Sequence, residues 1–348
     1  MSLEESELAL PCSAENADNF LSRPSEKAIE ALRNAEGDTI VLGAGGKMGL
    51  HLCALLKQAL LKLGRSDSVY AASRFQSLRD ETAYERLGVK VLKGDFRDKR
   101  FVKSLPGCPT AFYLVGAKFG TSENLHLLRQ INVEVARELA YRYRNSTIVA
   151  LSTGCVYSYV SPESGGSTEE SEMNPIGEYA ESCLDRERQF QEISDQFGTK
   201  VALIRLNYAV EFRYGALLDI GLKVYNGEPI DLTMSHVNVI WQNDALNHIV
   251  QSLEIADAPA VPINITGEGA LSVRELADAF GKRFGKRPQF VGTGAKTMWL
   301  SNASKSHRLF GRPEIAIEQM IDWTAAWISE KGETHGKPTG FETRDGKF

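Results

Sequence analysis

The sequence is poor in the residues that would staple or metallate a fold. It has five cysteines in 348 residues (Cys12, Cys53, Cys108, Cys155 and Cys183), an odd number at wide spacings with no CxxC pair. That excludes a disulfide framework and a structural zinc site, and it fits a reducing cytoplasm. Histidine is scarce, with six residues and no paired His/carboxylate spacing, so no metal centre is expected. A basic excess is missing too: the net charge is −5, which gives no nucleic-acid surface. No apolar run is long enough for a bilayer. The longest candidate, "LHLCALLKQALLKLG" from Leu50 to Gly64, is short and carries His51, Lys57, Gln58 and Lys62. The first residues, "MSLEESELALPCSAENA", are acidic where a secretory signal would be basic, so none is expected. No internal repeat is visible.

What remains is a chain with 43% hydrophobic residues, enough for a sizeable core. Short apolar runs alternate with helical patterns. Strands are expected at 39–42, 69–72, 89–92, 111–115, 148–151 and 201–206. Helices are expected over 50–63 and 132–143, the second with Val133, Ala136, Ala140 and Tyr143 on one stripe. This alternation predicts an α/β fold, a doubly wound parallel sheet of Rossmann type with a smaller C-terminal substrate-binding lobe. The expected division is an N-terminal extension at 1–36, a dinucleotide-binding domain at 37–206 and a substrate lobe at 207–330. This division leaves room for part of the chain to return to the sheet, and a polar, irregular tail follows at 331–348. Within the extension, "SEKAIEALRNAEG" reads as a helix closed by Gly37.

The segment "TIVLGAGGKMG" places Gly43, Gly45, Gly46 and Gly49 directly after the first strand and at the start of a helix. Glycines at 43, 46 and 49 would allow a tight turn, close approach of a pyrophosphate and close helix–strand packing. Lys47 and Met48 lie inside the same loop. The alternative is a glycine-rich turn without a ligand. The second strand ends in "YAASRF", where an acidic residue usually holds a free ribose 2′-hydroxyl; here Ser73 and Arg74 stand instead. Arg74, joined by Lys47, could bind a 2′-phosphate, which favours NADP and leaves NAD open. Otherwise both are solvated surface residues.

Together with "KGDFRD", "YLVGAK", "INVEVARELA", "ALSTGCVYS", "LIRLNYAV", "NITGEGALSVRELADAFGKRFGK" and "SNASKSHRLFG", the glycine loop resembles the extended short-chain dehydrogenase/reductase family, the NAD(P)-dependent epimerase/dehydratase group. The resemblance runs from about Thr39 to about Trp327. It implies that Asp95 meets the adenine with Phe96 flanking it. It also puts the Val115, Gly116 and Lys118 segment beside the cofactor and gives the family's helix asparagine as Asn132. Family chemistry rests on Ser or Thr, Tyr and Lys, which here implies Thr153 with Ser152 beside it, and Tyr179 in "EYAESCLDRE". Four residues after Tyr179, where Lys is expected, stands Cys183.

Residues four apart share a helical face, so Cys183 is expected to point into the same site. A thiol cannot lower the phenol pKa as an ammonium would. Three readings stay open. Tyr179 works with weaker activation or with Lys118; the reaction uses a different acid; or catalysis is lost and the fold binds a dinucleotide as a sensor or regulator. Asn207, Tyr208, Arg213 and His236 are candidate substrate contacts, each with a structural alternative. The segment "SHVNVIWQNDA" has no Arg where the family often pairs one with a substrate phosphate, which leaves room for a simpler sugar, sugar acid or polyol. The expected activity is NAD(P)-dependent chemistry on a hydroxyl or carbonyl of a sugar-like small molecule. The expected assembly is a homodimer, without nucleic-acid or membrane partners.

Overall fold

The central sheet forms where short apolar segments are covered on both faces. The computed structural model describes residues 13–76, 80–118 and 124–346. Its sheet has seven strands: β1 (Thr39–Leu42), β2 (Val69–Ser73), β3 (Lys90–Lys93), β4 (Thr110–Tyr113), β5 (Thr147–Thr153), β6 (Val201–Leu206) and β7 (Val261–Ile265). All neighbours pair in parallel, in the order β3-β2-β1-β4-β5-β6-β7. Every residue of β1 and β4 is buried, as continuous apolar runs between two helical layers require. Strand order reverses between β1 and β4, and a crevice opens beyond their carboxyl ends.

One face is covered by α2 (Glu26–Arg33), α3 (Gly49–Lys62) and α7 (Gln242–Gln251), through Ile29, Leu32, Leu52, Leu56, Leu246 and Ile249. The other is covered by α4 (Val135–Arg142) and α5 (Glu178–Phe197), through Val135, Leu139, Phe190 and Ile193. A second core joins α1 (Ala14–Phe20), α6 (Ala216–Asn226), α8 (Val273–Phe284) and α9 (Ile317–Ser329). Its centre is aromatic: Phe20 lies 5.1 Å from Trp323, and Phe212 lies 5.0 Å from Trp241, edge to face.

The six expected strands are present, two with the expected bounds (39–42 and 201–206) and four with ends shifted by one or two residues. Two features differ from the expected division, the packing of the N-terminal extension and the burial within the tail. The described part of the N-terminal extension does not stand apart: Phe20 and Leu21 belong to the second core and α2 packs on the sheet. The helix expected from Ser25 is α2, capped by Ser25 Oγ accepting the Ala28 amide at 3.2 Å. The sheet gains β7 from within 207–330, the return anticipated there. The tail has no helix or strand over 331–346, yet Thr339 and Phe341 are buried. Residues 1–12, 77–79, 119–123 and 347–348 lie outside the described residues, and with them Cys12.

Candidate functional site

The three spaced glycines do different work. Gly43 has φ +84°, and a Cβ there would lie 2.7 Å from the Val115 amide nitrogen, so backbone and neighbour both require glycine. A Cβ on Gly49 would sit 1.9 Å from the Ala44 carbonyl oxygen, which fixes how closely α3 approaches the loop. Gly46 is different. It is exposed, its φ is ordinary, and a Cβ would meet only the Gly43 carbonyl at 3.4 Å. Nothing in the fold demands glycine at 46, but a side chain there would enter the crevice. The amides opening α3 lack a side-chain cap, since Met48 precedes them, which makes an anion-binding terminus.

This crevice has a volume of about 380 Å³ and is lined by Gly43, Gly45 and Gly46 on one side. Ser73, Arg74, Asp95, Phe96, Val115 and Gly116 line it as well. A Cβ on Gly45 would meet Ser73 Oγ at 2.7 Å. Asp95 accepts from Arg97 Nε at 3.0 Å, and this bond holds its carboxyl below the usual range. Arg74 is exposed, and its charge also acts on Asp95.

A second cavity, about 220 Å³, opens beside the first. Lys118, Ser152, Thr153, Tyr179, Asn207 and Tyr208 all line it. A smaller space of about 190 Å³ touches Val115 and Gly116 from the first cavity and Lys118, Ser152 and Tyr179 from the second, so the two form one groove. A π-helical turn at Gln130–Glu134 turns Asn132 inward. Asn132 Oδ1 accepts the Ala117 amide at 2.8 Å, and its Nδ2 donates to the Ala117 carbonyl at 3.0 Å. That clamp holds the segment carrying Lys118, whose Nζ donates to the Thr339 carbonyl at 3.2 Å and lies 5.8 Å from the Tyr179 ring centre. Thr153 Oγ1 accepts the Cys155 amide at 3.2 Å, leaving its own proton to give elsewhere. Tyr208 has φ +43°, a strained position held by its surroundings.

Cys183 faces Tyr179, as the helical spacing predicts, and is wholly buried. Burial pushes the Tyr179 phenol well up, the Cys183 and Cys155 thiols add to the rise, and Arg186 opposes it. Burial lowers the Lys118 amine. The cation missing at 183 is thus partly replaced one turn later. Arg186 is 5% exposed, and its Nη1 donates to the Val115 carbonyl at 3.2 Å. Sequence reasoning missed Arg186; its signal is the seven-residue spacing from Tyr179, two helical turns on the same face. Two buried polar atoms beside the groove have no partner among the described residues, Ser152 Oγ and Arg186 Nε. Together with the open space at Gly46 and the uncapped α3 amides, they fit an extended ligand carrying phosphates and hydroxyls.

Three expectations need correction. Lys47 does not join Arg74: its amine lies in the second cavity, 3.7 Å from the Tyr214 ring centre, donating to the Ala209 carbonyl at 3.3 Å. Met48 lines that cavity as well. Arg213 lines neither cavity. It is buried against Asp18 at 2.8 Å and Glu211 at 3.2 Å, an ion-pair network joining α1 to the second lobe. His236 also lies outside both, its Nδ1 3.0 Å from Ser235 Oγ. Beyond Arg186, sequence reasoning missed Cys155 and Thr339 in the second cavity, whereas Tyr214, which the segment "EFRYG" offers as a ring beside Arg213, does line it. Thr339 arrives from a tail with no pattern to flag it. No helix among the described residues is long and apolar enough to cross a membrane.

The model of the NAD dependent epimerase/dehydratase family matches residues 39–210. No curated protein matches the chain. Solved structures do. A UDP-glucuronic acid 4-epimerase from Bacillus cereus, in complex with NAD, is 18% identical; the match covers 84% of this chain and 99% of that one, with a TM-score of 0.69. A dTDP-glucose 4,6-dehydratase from Streptomyces venezuelae, with NAD and TYD bound, is also 18% identical, over 84% and 97% of the two chains, with a TM-score of 0.71. A UDP-glucose 4-epimerase from Thermotoga maritima, with UDP-glucose, is 16% identical, over 84% and 99%, with a TM-score of 0.68. At these identities the likeness is one of fold.

Proposed function

Residues 39–210 of this chain belong to the NAD dependent epimerase/dehydratase family, and on that premise we propose that the protein is a nicotinamide-dinucleotide-dependent enzyme acting on a hydroxyl or carbonyl of a sugar-like substrate. The observation that carries the reading is the convergence of Thr153, Tyr179 and Lys118 on one cavity continuous with the glycine-loop crevice. The similar structures hold NAD and sugar nucleotides, which supports it. The α3 terminus and Gly46 would hold the pyrophosphate, and Asp95 and Phe96 the adenosine end. Arg74, in place of an acidic residue, supports NADP. When bound, the cofactor would supply or accept a hydride. The same reading takes the assembly to be a homodimer, which sedimentation velocity tests.

The chain's own groups would manage the proton. Thr153 and Ser152 offer hydroxyls to the substrate oxygen. Tyr179 is a neutral phenol at neutral pH, because burial and two thiols disfavour the phenolate. In that state it gives a proton rather than takes one, which suits reduction of a carbonyl. Lys118 and Arg186 stabilise the phenolate left behind. Cys183 in the place of the family lysine favours a second reading, a dinucleotide-binding regulator without turnover. Incubation with NADPH or NADH and a panel of keto-sugars separates the two. Substrate-dependent loss of absorbance at the reduced nicotinamide band supports the enzyme, and tight cofactor binding with no turnover supports the regulator.

A further inference from the structure

The C-terminal tail has no helix or strand over 331–346, yet it is fastened along its length. The His335 amide donates to the Arg213 carbonyl at 3.1 Å, and its ring pairs with Glu211 at 3.2 Å. Arg213 also pairs with Asp18 of α1, so the tail is clasped where the N-terminal helix is. Phe341 is 1% exposed and packs in the second core. The Arg344 guanidinium lies 4.2 Å from the Tyr159 ring centre, and the Arg344 carbonyl accepts the Tyr159 hydroxyl at 2.6 Å. Gly346 closes the run against Gly177, where an added Cβ would lie 2.8 Å from the Gly346 Cα. An irregular segment has no hydrogen-bond ladder of its own, so these ties set its path.

Two of the tail's contacts fall on the groups that handle the proton. Gly177 is the residue before α5, and Tyr179 follows two positions later. Thr339 is 2% exposed and lines the second cavity, and its carbonyl accepts the Lys118 amine at 3.2 Å. One carboxylate holds Thr339 at two atoms: Asp219 Oδ2 accepts its amide at 2.8 Å and its hydroxyl at 2.6 Å. With nitrogen and Oγ1 both held, little freedom is left to the carbonyl of the same residue. Asp219 itself stands in the first turn of α6 and lines neither cavity. We propose that the tail is a strap that builds the proton-donor end of the site, with Asp219 and Thr339 as positioning residues: Asp219 fixes Thr339, and the Thr339 carbonyl fixes the Lys118 amine beside Tyr179. This rests on the proposed roles of Lys118 and Tyr179. Position matters there because small displacements of a reacting group cost large factors in rate. The ties are mostly polar and lie outside regular structure, so the strap opens at lower cost than the sheet.

The test uses the full chain and competitive acetylation of its amines, read residue by residue by mass spectrometry, with the exposed Lys103 as reference. Asp219→Ala should raise Lys118 acetylation relative to Lys103 by about fivefold or more. It should also speed hydrogen exchange over 335–343 and leave exchange in β4 and β5 unchanged. Thr339→Val loses the hydroxyl bond and keeps the amide bond, so it should act in the same direction and less strongly. Thr339→Ser should behave as the native chain. Should Asp219→Ala fail to fold, Thr339→Val decides. Lys118 acetylation unchanged in the folded variants overturns the proposal. So does a rise accompanied by faster exchange across the sheet, since the strap then only packs. With any keto-sugar that the native protein reduces, Asp219→Ala should lower kcat about tenfold and Thr339→Ser should leave it intact; native kcat in Asp219→Ala overturns the proposal as well. Absence of turnover by the native protein would instead strike the enzyme reading, and the acetylation result would still decide on the strap.

Discussion

The two cavities share one groove and are made of different material. The first lies at the ends of β1, β2, β3 and β4, where glycines of the loop and Gly116 leave room between apolar side chains such as Phe96 and Val115 and polar ones such as Ser73, Arg74 and Asp95. The second is mostly side chain: two amines, three tyrosines, a thiol and several hydroxyls. Its parts come from the glycine loop, from the ends of β4, β5 and β6, from α5 and from the C-terminal tail. A glycine loop can be built locally, because the turn that shapes it is encoded by neighbouring residues. A side-chain cavity cannot, and every member changes the electrostatics of the rest. The contrast between two buried arginines makes the same point. Arg205 is matched, paired with Glu187 at 2.8 Å and donating to the Tyr157 hydroxyl at 2.8 Å. Among the described residues, Arg186 donates to the Val115 carbonyl, and its Nε has no partner. A satisfied buried charge holds a helix to a sheet, whereas an unsatisfied one beside a cavity is poised to act on what enters.

If the second cavity does the chemistry and the first only holds cofactor, Tyr179→Phe should separate them most sharply. Turnover should fall about 10²- to 10⁴-fold while NADPH affinity changes little. Steady-state kinetics beside a fluorescence titration reads both, and native turnover in the variant would remove the phenol from the mechanism. The first cavity has its own internal contrast. Gly46→Val should fold normally and bind NADPH about 10- to 100-fold more weakly, because the side chain enters open space needed by the ligand. Gly49→Ala should instead lose about 1–3 kcal/mol of stability, because its Cβ collides with the Ala44 carbonyl. Thermal melts with binding isotherms check the pair; normal binding by folded Gly46→Val would make the loop merely structural.

Smaller effects sharpen the electrostatic side. Removing the guanidinium in Arg186→Met should push the Tyr179 phenol further up, moving the alkaline limb of the pH–rate profile upward by about one unit. Arg186→Lys should restore most of it, and a profile unmoved by Arg186→Met would show that the residue only packs. Arg74→Ala should weaken NADPH by about tenfold and NADH hardly at all; equal losses would defeat the NADP assignment. Cys183→Ala should do least, with turnover within about twofold and stability lower by about 1 kcal/mol from the lost burial. A severe loss of turnover in folded Cys183→Ala would mean that the thiol itself is a working group.

The sequence by itself determined the parallel sheet, the glycine loop and the pairing of Tyr179 with Cys183. Each depends on spacing along a short stretch: continuous apolar runs for β1 and β4, three-residue intervals for the glycines, four residues on a helix for the thiol. Even the purpose of Gly43 and Gly49 was legible, since tight turns and close packing are local demands. Tertiary structure alone decided where the charges went. Lys47 and Arg74 read alike as cations near a phosphate, yet the loop turns one amine toward Tyr214 and leaves the other side chain at the crevice edge. Arg213 reads as a surface anion contact, yet Asp18 from α1 and Glu211 bury it. Thr339 carries no motif at all, and Arg186 has only its seven-residue spacing from Tyr179 to mark it. Their places follow from long-range packing of α5 against the sheet and of the tail against Lys118. Charge placement depends on partners brought together from distant segments, and no local pattern specifies them.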